Sequence, residues 1–140
     1  SPEVYGSWLV AELFRRAGTG DLYTLVDGEH VLALPFELQQ SDAMYVIELS
    51  CGRGSVPTRT HVFTSFGAMT NPPRLGGELF PGDYAAIPEC AIDSKQPIRL
   101  QLHRIPSFTI DDYRDLEAAI NSSRAESLFS ITLPGPPSST

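Results

Sequence analysis

The chain has 140 residues, 41% of them apolar and 19% charged, and a net charge of −7. That length and balance fit one globular domain, which at this size buries about two-thirds of its unfolded surface, and they exclude a coiled coil or a chain disordered throughout. With a pI near 4.8 and Lys95 the only lysine, a nucleic-acid backbone is excluded as partner, because displacing phosphate counterions takes clustered Lys and Arg. Six acids and no Lys or Arg stand between Ala17 and Gly52, so that half should repel anionic surfaces.

No apolar run approaches the ~20 residues of a spanning helix, and the start lacks the basic-then-apolar layout of a signal peptide. The chain therefore reads as soluble with no membrane span, and its Ser1-Pro2 start as that of a processed or excised piece.

Trp8, Val10 and Phe14 share one face of an extended chain, so Trp8 to Phe14 is read as a strand, with a short helix as the alternative. Gly18 and Gly20 mark Arg15 to Asp21 as a connecting loop. Leu22 to Val26 and Val31 to Leu34 flank Asp27-Gly28-Glu29, and Asp-Gly supplies the positive φ angles of a tight hairpin turn. Ala43 to Cys51 has apolar residues at its odd positions and ends its even side in Glu48 and Ser50, a strand with one buried face.

Arg53 to Arg59 carries the breakers Gly54 and Pro57 and reads as a loop, followed by a strand over Thr60 to Phe66. Ala68 to Gly77 is a long loop. Tyr84 to Ile87 is a short strand closed by Pro88. From Ile98 the alternation is cleanest: Ile98, Leu100 and Leu102 point one way, Arg99, Gln101 and His103 the other, as in an antiparallel sheet with one wet face.

Thr109 and Asp112 have capping-box spacing, and Ile110, Tyr113, Leu116 and Ile120 recur as the buried stripe of one helix ending near Asn121. Glu126 to Leu133 is the last strand. The fold class is therefore mainly β: an antiparallel β-sandwich or jelly-roll-like barrel with one helix at about 110–121. Residues 1–133 form a single β-rich domain, and Pro134 to Thr140 a disordered Pro/Ser tail.

No dense catalytic or metal-ligand cluster stands out. Cys51, in Ser50-Cys51-Gly52-Arg53-Gly54-Ser55, sits where a glycine-rich turn could expose N–H groups to an oxyanion, but it also continues the apolar parity of its strand. Cys51 and Cys90 can bridge only if the fold brings their Cα atoms within about 7 Å; two free core thiols are the alternative. His30, His61 and His103 are scattered singly, without His-x-His, Cys-x-x-Cys or His-Glu-x-x-His, and no cofactor is expected. Asp21, Asp27 and Glu29 lack calcium-loop spacing and read as solvated turn residues.

Gly77-Glu78-Leu79-Phe80-Pro81-Gly82-Asp83-Tyr84-Ala85-Ala86-Ile87-Pro88 resembles a glycine-bounded stretch of cupin barrels. The resemblance spans a dozen residues. Upstream only His61 stands where a cupin has paired histidines, so the resemblance implies a jelly roll without metal.

By elimination the expected role is a non-enzymatic interaction or assembly module, such as the protruding domain of a viral coat protein. It would meet a protein partner, a glycan or its own copies through Arg53, Arg59, Met69, Asn71, Arg74, Arg99 and His103, since arginine pairs bidentately with carboxylates and is enriched at interfaces. The alternatives are a small hydrolase using Cys51 or a His/carboxylate pair, and a small-molecule-binding cupin-like barrel without metal.

Overall fold

The computed structural model describes residues 7–26, 28–33, 43–52, 56–63 and 84–136. In chain order the elements are α1 (Ser7–Thr19), β1 (Tyr23–Val26), β2 (Glu29–Ala33), β3 (Met44–Ser50), β4 (Thr58–Phe63), β5 (Tyr84–Ala86), α2 (Glu89–Ser94), β6 (Ile98–Ile105), α3 (Ile110–Arg114), α4 (Leu116–Ile120) and β7 (Glu126–Leu133). The protein is mainly β, with two antiparallel sheets of order β1-β2-β5 and β4-β3-β6-β7. Neither closes into a barrel among the described strands, which corrects the barrel form of the expected fold.

The hairpin forms as the sequence indicates, with Tyr23 opposite Leu32 and Val26 opposite Glu29, and Gly28 at φ +83° supplies the left-handed turn residue. The segment before it is helical instead of extended, and the helix runs on to Thr19, through most of the stretch from Arg15 to Asp21 that the sequence reads as a loop. Leu13 and Ala17, four apart, are buried, and Glu12 holds Arg15 and Arg16 three and four residues on, a spacing only a helix brings together. Those two guanidiniums lower the Glu12 carboxyl to about 2. Phe14 is 43% exposed.

The central strand β3 pairs with β4 on one side and β6 on the other. It is buried on both faces, where the sequence indicated one. Tyr45, Ile47 and Leu49 join Ile98, Leu100 and Leu102 of β6, Leu32 and Ala85 of the smaller sheet, and Leu13 and Ala17 of α1 in the main core. Met44 and Val46 face the other way, and with Ile105 they pack beneath Tyr113, Leu116, Ala119 and Ile120.

The helix expected over 110–121 is two short ones. Thr109 and Asp112 form the capping box, and Arg124 anchors Asp112 at 2.6 Å. The backbone then breaks at Asp115 (φ −134°, ψ 83°), whose carboxylate accepts from Ala118 N at 3.1 Å and starts α4. Tyr113, Leu116 and Ile120 of the expected stripe pack on the core together with the buried Ala119, while Ile110 is 56% exposed.

Helix α2 was not legible in the sequence, yet it carries Cys90 to Cys51. Their Cα atoms are 6.3 Å apart and the two cysteines are joined as a disulfide. The Tyr23 hydroxyl donates to the Pro134 carbonyl, and burial pushes its phenol up to about 12. No helix among the described residues is long and apolar enough to cross a membrane.

Candidate functional site: a polar half-face on the larger sheet

Alternation along β3 places Met44, Val46, Glu48 and Ser50 on one side of the larger sheet. Register then sets Arg59 of β4 and Gln101 of β6 on either flank of Glu48, with Arg99 opposite Ser50. Ser130 and Thr132 of β7 extend these two rows. Helices α3 and α4 cover the Met44–Val46 end of this face with apolar side chains. Toward Ser50 it is polar: Ser50 is half-buried, while Arg99, Ser130 and Thr132 are exposed.

Glu48 organises the boundary between the two halves. Its Oε1 lies 2.7 Å from His103 Nε2, and its Oε2 accepts from Arg59 Nε at 2.8 Å. Because an ionised carboxylate only accepts, the ring proton of that bond sits on Nε2 of His103. The His103 hydrogen bond, more than the Arg59 one, holds the Glu48 carboxyl below its ordinary value, against a burial effect that acts the other way. Glu48 is 7% and His103 8% exposed, so the network is fixed within the sheet.

Of the seven contact residues read from the sequence, Arg53, Met69, Asn71 and Arg74 lie outside the described residues, as does 77–83 of the cupin-like stretch. The other three share one face. Arg59 belongs to strand β4, not to the loop assigned to it. His103 is buried rather than wet, because it turns toward Glu48. Arg99 is exposed as expected, with its Nε donating to Ser130 Oγ at 3.3 Å.

Glu48 was missing from the expected site. The available signal was an acid inside an otherwise apolar strand with a basic residue on a neighbouring strand of matching parity, but pairing register cannot be read from one chain.

The chemistry open to this arrangement is limited. Both Glu48 oxygens are engaged, no hydroxyl or thiol among the described residues is bonded to His103, and Cys51 and Cys90 are bonded to each other. Among the described residues no group of three or more His, Cys, Asp or Glu could hold a metal ion. No family model, curated protein or solved structure matches the chain.

Proposed function

We propose that the protein is a non-enzymatic interaction module that meets a protein or glycan partner with the polar half-face of its larger sheet. The observation that carries this reading is the double engagement of Glu48 by Arg59 and His103. It fixes an arginine in place without presenting a reactive group. Arg59 and Arg99 are each held at Nε, and among the described residues their Nη groups have no acceptor, so both can serve an outside one such as a carboxylate. A preorganised donor loses less freedom on binding than a mobile one.

The two sheets are read as the layers of an antiparallel sandwich, supported by the core that Leu32 and Ala85 share with Tyr45, Ile47 and Leu49. The Cys51–Cys90 bridge fits an oxidising compartment and weighs against the thiol-hydrolase alternative. A protruding domain of a viral coat remains one setting for such a module, by analogy of architecture alone.

A thermal-shift screen against neutral and acidic glycans tests the reading. An upward shift with an acidic glycan that Arg99→Ala removes supports it. Turnover of a chromogenic ester or glycoside that His103→Ala abolishes would overturn it.

A further inference from the structure

The outer edge of β7 has no partner strand among the described residues, although β7 is, at eight residues, as long as the central β6 it pairs with. Edge strands of stable monomers are shortened, charged, bulged, interrupted by proline or covered by a helix, because unpaired N–H and C=O groups recruit another strand. Of these devices β7 has a bulge near its start and α1 packed against it. Here the only charge is Glu126 at the start, and the first proline is Pro134, after the end. Ser127, Ser130 and Thr132 are exposed, and Phe129 and Ile131 are only half-buried.

The strand is also bounded in a particular way. Leu102 pairs with Phe129 but His103 with Ser127, so Leu128 is the extra residue of a bulge and bends the strand there. Between that bulge and Pro134 runs one regular stretch, Phe129-Ser130-Ile131-Thr132-Leu133. Its pattern reads the same from both ends: apolar, hydroxyl, apolar, hydroxyl, apolar. A two-fold interface requires a surface complementary to itself, and an antiparallel pair centred on Ile131 satisfies that condition. Phe129 would face Leu133, Ile131 its own counterpart, and Ser130 would face Thr132, all pairings that favour adjacent strands. The chain is acidic overall, yet this stretch brings no like charges together.

We infer that β7 is a homodimerisation edge, pairing antiparallel with β7 of a second copy about a two-fold axis at Ile131. The larger sheets of two copies then become one eight-stranded sheet. Ser130 and Thr132 lie on the same face as Arg99 and Gln101, so the dimer presents two polar half-faces side by side, a bivalent surface. This deepens the interaction-module reading by naming one partner as the chain itself.

Sedimentation of the wild type should show a dimer at about 50 µM, in the range expected of a modest strand-edge interface. Ser130→Glu with Thr132→Glu sets acids opposite acids twice across the axis while leaving Arg99 beside them, and should weaken the dimer at least about tenfold. Ser130→Cys and Thr132→Cys, oxidised separately, should stay monomeric on non-reducing gels; mixed in equal amounts, they should give a covalent dimer. That cross-link decides the matter if the double Glu variant does not fold. A wild type still monomeric at about 200 µM, a double Glu variant that dimerises unchanged, or a mixture that cross-links no better than either variant alone would overturn the inference. The Arg99-dependent glycan shift reads out separately, so it can stand when the dimer fails.

Discussion

Glu48 and His103 sit diagonally across neighbouring strands, with Val46 opposite His103 and Gln101 opposite Glu48, and meet through a 2.7 Å bond between Oε1 and Nε2. Strand order places Arg59 on the far side of the same carboxylate. One acid thus ties three strands together at a depth where an unpaired charge is costly.

Replacing that acid should cost more than replacing either partner. Glu48→Ala leaves Arg59 and the buried His103 without an acceptor and should lower stability by about 2–3 kcal/mol, whereas His103→Ala leaves the Glu48–Arg59 pair intact and should cost about 1–2 kcal/mol. Urea unfolding of the two variants measures the difference.

Acid should destabilise the fold through the same group. Glu48 is held below its ordinary 4.5 chiefly by His103, and Asp112 below its ordinary 3.8 chiefly by Arg124. A depressed carboxyl means that the unfolded chain binds more protons, so the contribution of each group is complete above its ordinary value and is lost as pH falls through the folded one. Thermal melts from pH 7 down to about 2 should show the loss, and Glu48→Gln should flatten it.

The disulfide closes a separation of 39 residues, for which chain entropy gives about 4 kcal/mol. Replacing both Cys51 and Cys90 by Ser should lower the melting temperature markedly. Alkylation of the folded wild type should find no reactive thiol at either position.

At the alkaline end the limit is Tyr23, whose burial raises its phenol to about 12. A raised value favours the neutral form in the folded state, so its contribution is complete below the ordinary 10.0 and is lost as pH climbs through about 12. Ultraviolet titration of the wild type against Tyr23→Phe isolates this late-ionising tyrosine.

Where residue patterns had one physical reading, the sequence was sufficient. The Asp27-Gly28 hairpin, the Ile98 alternation, the Thr109 capping box and the last strand from Glu126 to Leu133 all depend on local chemistry, and each is present. The misread segment, Trp8 to Phe14, had apolar spacing that fits both periods, and the arbiter was Glu12 with Arg15 and Arg16, a charge pattern outside the apolar count. Asp115 defeated the single-helix reading because aspartate starts a helix as readily as it occupies one. Arg59 and His103 were legible as contact candidates, but their meeting at Glu48 depends on which strands are neighbours, and that is a property of the tertiary fold.

The most direct test of the account is a carbon-detected NMR titration of the Glu48 carboxyl in the wild type and in His103→Ala. The account predicts ionisation below the ordinary 4.5 in the wild type and a move back toward it when His103 is removed. An ordinary value in the wild type, or one that His103→Ala leaves unchanged, would contradict it.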